Sequence, residues 1–217
     1  MSPFKLMVEI RTPFHMRFPV TLDALLIEAK ANQTGLPPEQ VLAEIPLQQK
    51  NGIFQASSMR LERRETRTGV GRVQSLRGDF DQSTLRFSPN KRKKDYSPID
   101  QARGPYKSNL DSYDAISCPW VSWSGVGDAQ ACRALLQDYL VGIGKRASGG
   151  AGEIGTIDII ALDHDQSWMN ADGLPARPLS AEQWAAIGGA PLETTLASVA
   201  WPYYNGDRVI AVMPRLQ

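Results

Sequence analysis

The feature that most constrains this chain is the stretch from Val141 to Gly155, which sets six glycines and the cations Lys145 and Arg146 between an apolar helical pattern and an apolar strand pattern. Glycine admits positive φ and lets main-chain amides come close to an anion, and successive N–H groups form concavities that hold phosphate oxygens. The stretch therefore reads as a polyanion-holding loop. Gly142, Gly144, Ser148, Gly149, Gly150 and Gly152 would give main-chain and hydroxyl contacts, and Lys145 and Arg146 the mobile charge.

The order of elements excludes two better-known phosphate loops. A dinucleotide fingerprint needs a strand, then glycines, then a helix, whereas here the helical pattern comes first. A nucleoside-triphosphate loop needs Ser or Thr after its Lys, and Lys145 is followed by Arg146. The bland alternative is a surface turn without a ligand.

Charge is segregated along the chain. The net charge is only +1, yet residues 60–107 hold 13 of the 24 Lys and Arg against 6 of the 23 Asp and Glu, so that segment carries +7 and the remainder −6. Such segregation shapes a local field that a net charge conceals. With 42% hydrophobic residues the rest of the chain can bury a sizeable core, which excludes a disordered protein.

Residues 4–10 alternate, with Phe4, Leu6, Val8 and Ile10 on one face, which predicts a half-buried strand. A helix follows, with Thr21 as its N-cap, Asp23 near its positive start, and Leu22, Leu25, Leu26 and Ala29 as its apolar stripe. The loop joining them contains His15 and Arg17. Residues 33–52, punctuated by prolines and glycines, read as an insertion with a short helix over 39–45, and residues 53–61 as one strand.

The segment that follows contains Arg60, Arg63, Arg64, Arg67 and Arg72, then Lys91, Arg92, Lys93, Lys94, Tyr96, Arg103, Tyr106 and Lys107. It is too polar to form a core, so it is expected to project as a long hairpin or arm. Projecting cations neutralise phosphates with a steep salt dependence, and interleaved tyrosines stack on bases. RNA or DNA is the expected partner; a merely solvated charge run is the alternative.

Residues 114–124 resume a strand, and Asp128 caps a helix with the stripe Cys132, Leu135, Leu136, Tyr139 and Leu140. The glycine loop and a buried strand over 154–162 complete the series. The order is that of an α+β, ferredoxin-like (RRM-type) βαββαβ antiparallel sheet carrying both helices on one face. Residues 1–167 are read as that domain with a basic insertion over about 62–110, and residues 168–217 as a coil-rich lobe packed on it, with a capped helix from Ser180 and a closing strand over 208–213.

At this point the residues resemble a known family, the RAMP proteins of CRISPR effector complexes. The stretch from Ile143 to Ile154 is similar to the family's glycine-rich loop after a helix and before the last strand. Gly127-Asp128 before that helix, residues 21–26 after the first strand, and Trp201-Pro202-Tyr203-Tyr204 followed by residues 209–214 also look familial. The set most resembles the small single-loop subunit of type IV systems. The resemblance implies a non-catalytic subunit that caps the 5′ handle of the crRNA. It also implies contact with backbone RAMP subunits and other effector subunits, an arm near the first guide base, and help in reading the motif that flanks target DNA. Ala147 departs from the family, which often has Arg or Lys there.

On that reading Gly144, Lys145, Arg146, Ser148 and Gly149 hold the handle, and Arg60, Arg63, Arg64, Arg67 and Arg72 meet nearby backbone. Lys91 to Lys94 belong to the arm or to target DNA. The competing expectation is a RAMP endoribonuclease that matures precursor crRNA without a metal. General acid-base cleavage wants His, Lys or Tyr groups on one bond, and His15 and His164 are the two histidines. His15 beside Arg17 lies within reach of RNA, although such a residue is more often a surface or capping histidine.

Asp163-His164-Asp165 has ligand-type side chains, but three consecutive residues seldom converge on one metal, and a solvated turn is expected. No cofactor is implied. Trp120 and Trp123 fall on opposite faces of a strand, so at least one belongs to the core. Cys118 and Cys132 imply neither a zinc site nor a disulfide framework. With no export signal and no 18-residue apolar run, the expected location is the cytoplasm, away from membranes.

Overall fold

The computed structural model describes all residues except 17, 63–64, 75–108, 205 and 215–217. Contacts divide the chain into two units, Met1–Arg67 with Ile116–Gln217, and Thr68–Ala115.

The first unit is built on a four-stranded antiparallel sheet. Its strands are β1 (Ser2–Ile10), β4 (Arg60–Leu61), β7 (Trp120–Gly127) and β8 (Ile154–Ala161), in the order β4-β7-β1-β8. With α1 (Leu22–Thr34) after β1 and α3 (Ala129–Tyr139) after β7, this is the ferredoxin-like arrangement, and the protein is α+β. The alternation of β1 sends Phe4, Leu6, Val8 and Ile10 into a core shared with Leu22, Leu25, Leu26 and Ala29 of α1 and Cys132, Leu135 and Leu136 of α3. Asp128 caps α3, its carboxylate accepting from the amides of Gln130 and Ala131 at 3.0 Å each.

Several local expectations need correction. Thr21 holds the N-cap position of α1, yet its hydroxyl makes no capping bond. Asp23 does lie in the first turn of α1, where it is buried. The helix expected over 39–45 is a short α2 (Pro38–Val41) continued by a 3-10 turn, Leu42–Glu44.

Residues 53–61 are not one strand. Ile53–Phe54 (β3) folds back on Gln49–Lys50 (β2) through Asn51 and Gly52, both at positive φ, the turn chemistry that an Asn-Gly pair favours. The chain then runs beside β7 through an Ala56–Gly125 bridge before β4. The strand expected over 114–124 is two, broken at Cys118-Pro119, because proline cannot donate to a ladder. Strand β8 is an edge strand with half of its residues exposed and only Ile157 buried, so it is not the buried strand expected there.

Residues 168–217 contribute β9 (Leu179–Ser180), α4 (Ala181–Ala186), β10 (Thr194–Ala197) and β11 (Val209–Val212), with the sheet order β10-β11-β9. Helix α4 starts with a capping box between Ser180 and Gln183. Ile53, Trp168, Leu179, Trp184 and Val212 form a second small core.

One buried cluster ties this part to the sheet domain. Arg177, with no exposed surface, donates to the carbonyl oxygens of Phe54, Ala56 and Val199 and to the Tyr203 hydroxyl, which in turn donates to Asp23. Arg177 also lies 3.7 Å from the Asp23 carboxylate.

The chain joins β5 (Thr66–Gln74) to β6 (Asn109–Ser117) as a two-stranded ribbon. Arg17, Arg63, Arg64, Lys91, Arg92, Lys93, Lys94, Tyr96, Arg103, Tyr106 and Lys107, expected to contact nucleic acid, lie outside the described residues, as does most of the expected insertion.

Candidate nucleic-acid interface

The glycine loop connects α3 to β8 and is laced to the loop after β1. Ile143 donates to the Gly152 carbonyl at 2.9 Å, and Gly152 donates to Pro13 at 3.2 Å. Lys145 donates to His15 at 2.8 Å. Thr12 closes the other side, its hydroxyl donating to Gly150 at 2.7 Å and accepting from the Glu153 amide at 2.9 Å. Thr12 escaped the sequence reading because a lone Thr in a polar loop carries no periodic or motif signal.

These bonds revise how the loop meets an anion. The amides of Lys145, Gly149, Gly150 and Gly152 are spent inside the protein, with Gly149 on Arg146 and Gly150 on Ala147, so they are not open phosphate donors. Gly142 and Gly152 are buried, and both are needed for close approach. A Cβ on Gly142 would lie 2.6 Å from the Ala151 carbonyl oxygen, and one on Gly152 would strike that of Ile143. The amides of Gly144, Ala147 and Ser148 take no part in this lacing.

What the loop presents is side-chain charge and a hydroxyl. Lys145, Ser148, Gly149 and Gly150 are exposed and Arg146 is half-buried. Arg146 holds a left-handed backbone at φ +70° as it opens a 3-10 turn over Ala147–Gly149. Lys145 makes no ion pair among the described residues. Arg11 by contrast is tied to Glu9 at 3.7 Å and Glu153 at 3.5 Å. The Glu9 carboxyl is held below its ordinary range, chiefly by the hydrogen bond from the Thr156 amide.

The structure thus brings His15, Lys145, Arg146 and Ser148 together. It does not bring Arg60 to them. Arg60 lies on β4, at the sheet edge opposite β8, and its guanidinium reaches Asp172 at 3.9 Å. Arg67 pairs with Glu65 at 3.2 Å. The backbone of Arg72 lies in β5.

Beside Arg60 the Glu62 carboxylate accepts from Lys5 at 2.6 Å and from the Ser122 hydroxyl. Asp163, His164 and Asp165 form an exposed bend, where Asp165 accepts from Gln55 and from the Ser167 amide, 2.8 Å each. No group of His, Cys, Asp and Glu suited to a metal occurs among the described residues, and no described helix is long and apolar enough to cross a membrane.

No protein-family model and no curated protein matches the chain. Among solved structures it is similar to a chain in the cryo-EM structure of the type III-B Cmr-beta complex bound to cognate target RNA, at 10% identity and a TM-score of 0.38. The likeness covers 74% of this chain and 61% of that one, so it spans about three fifths of the neighbour's length.

Proposed function

We propose that this chain is a non-catalytic RNA-binding subunit of a CRISPR ribonucleoprotein complex, and that it grips the 5′ handle of the guide RNA. The observation that carries the reading is the loop between α3 and β8, in which Lys145 and Arg146 stand on a backbone fixed by Thr12, Pro13 and His15. Fixing the backbone lowers the ordering cost of binding a strand, and two cations on it meet phosphates. The finer reading rests on the motif resemblance: a type IV complex, backbone RAMP subunits as neighbours, and target DNA met by the basic segment.

RNA handles are single strands, so phosphate contacts would position the chain and splayed bases would specify it. The test is fluorescence anisotropy of the purified chain with repeat RNA in chelator, over a series of salt concentrations. Lys145→Ala with Arg146→Ala should weaken binding and flatten the salt slope by roughly 0.7 per cation lost. Unchanged affinity and slope would overturn the assignment of the loop.

A second reading has one observation in its favour, the Lys145 amide bonded to the main chain of His15, which sets a histidine beside a lysine. It is metal-independent cleavage of precursor RNA. The same incubation separates the two, since a cut product lost in His15→Ala would make the chain a nuclease.

A further inference from the structure

The face of the sheet turned away from the helices opens on a cavity of about 440 Å³. Phe4 and Leu6 of β1 enter the core, so Lys5 between them lies on the other face, opposite Ser124 of β7, while Arg60 of β4 lies opposite Ser122. These four residues and Ser58 line one side of the cavity. The other side is the turn closed by the Met169–Pro175 bridge, in which the Asn170 Oδ1 accepts from the amides of Asp172 and Leu174 at 3.0 and 2.9 Å. The Ser58 amide donates to the Ala176 carbonyl oxygen at 2.7 Å and pins this turn to the sheet.

Hydrogen-bonding capacity is left over in the cavity. Ser57 and Ser122 engage their hydroxyls within the fold, on the Ser58 carbonyl oxygen and on Glu62. Ser58 does not. It is 4% exposed, and its Oγ has no partner, so a group that bonds to it recovers the cost of its burial. The Asn170 amide group, with its Oδ1 engaged, keeps two donors that bond nothing among the described residues. Met59, Leu174 and Pro175 add apolar surface. Charge nearly cancels here, because Lys5 is paired with Glu62 at 2.6 Å and Glu193 lines the cavity with Arg60. Arg60 itself meets Asp172 only at 3.9 Å, with its side chain 46% exposed.

The occupant that suits these walls is a neutral group with apolar faces and a polar edge, joined to an anion. A nucleobase with its phosphate has that chemistry, and the volume is that of a small-ligand pocket. We propose that the cavity takes one nucleotide, with its base edge on Ser58 and Asn170 and its phosphate on Arg60. The proposal deepens the RNA-binding reading and rests on it for the source, a base splayed from the bound strand; a free nucleotide would bring the same chemistry. Because β4 and β8 are opposite edges of the sheet, this site is separate from the glycine loop.

The experiment titrates the full chain with each of the four ribonucleoside 5′-monophosphates by calorimetry, beside anisotropy with repeat RNA. At least one monophosphate should bind, and Ser58→Ala should weaken it by about threefold to tenfold with no loss of melting temperature, since the Oγ makes no bond in the fold. Asn170→Asp keeps the acceptor for both turn amides and replaces the two donors, so it should change which base binds best. Arg60→Gln should weaken all the monophosphates alike. Weaker RNA binding by Ser58→Ala and Asn170→Asp assigns the site to a base of the strand, whereas unchanged RNA binding with weaker monophosphate binding assigns it to a free nucleotide. If no monophosphate binds and both variants hold RNA as tightly as the parent, the proposal is overturned. Lys145→Ala/Arg146→Ala should bind monophosphates as the parent does, so failure of the loop and failure of the cavity are read apart.

Discussion

The main-chain amide of Lys145 donates to the carbonyl oxygen of His15 over 2.8 Å, and this bond fixes the cationic loop to the segment that follows the first strand. Gly144 makes it attainable. Its φ is +82°, and a Cβ there would sit 2.6 Å from that same His15 oxygen.

Gly144→Ala should therefore displace the loop as well as strain it, and lower RNA affinity without removing any charge. Gly150 is the control. It also has positive φ, at +87°, but a Cβ there would meet nothing within 4 Å. Gly150→Ala should cost only backbone strain, roughly 1–2 kcal/mol. Paired melts and binding isotherms check this, and equal effects from the two variants would show that the close approach to His15 is unimportant.

The Arg177 cluster gives a stability prediction. Its guanidinium and the Asp23 carboxylate are both almost fully buried, so removing one leaves the other charged and without its counter-ion. Arg177→Met should destabilise by roughly 3–5 kcal/mol, and Tyr203→Phe, which removes a hydroxyl, by about 1–3. Chemical denaturation measures both. An Arg177→Met chain as stable as the parent would mean that the cluster does not hold residues 168–217 in place.

These two sites show what was legible in advance. The alternation of Phe4, Leu6, Val8 and Ile10, the Asp128 cap and the stripes of the two helices marked the sheet domain, because burial on one face imposes a period on the sequence, although Tyr139, expected in the stripe of α3, is exposed. The glycine loop was legible as a cationic turn. Its hydrogen bonds were not, since Thr12, Pro13 and His15 meet it only through the tertiary fold. Asp23 was legible as a helix-start acid, but its burial was not, because its partner Arg177 is 154 residues away. The turn at Asn51-Gly52 was there to be read, but the short strand before it, Gln49-Lys50, is polar and exposed and so carried no apolar signal for a pairing with Ile53-Phe54.

Acid should loosen the β4 edge. Burial raises the Glu62 carboxyl, but hydrogen bonds from Lys5 and Ser122 and the charges of Lys5 and Arg60 outweigh it, so the group titrates below its ordinary range. A carboxyl lowered in the folded state stabilises above its unfolded pKa, and that contribution is lost as pH falls through the folded value. Glu62→Gln should thus lose melting temperature near neutrality and converge with the parent chain in acid. Parallel melting curves at every pH would sink this account.

The thiols allow a last test of packing. Cys132 of α3 has no exposed surface, and burial, with the nearby Asp128 charge, pushes its thiol up to about 12. Cys118 is equally buried, with its Sγ 3.1 Å from the Trp120 carbonyl oxygen. The thiolate is the reactive form, so alkylation at neutral pH must wait for the core to open. Iodoacetamide should leave both cysteines unmodified in the folded chain and label both in denaturant, as read by intact mass. Rapid labelling of Cys132 under native conditions would mean that α3 does not pack on the sheet as described, and the loop that leaves its C-terminus would lose its fixed base.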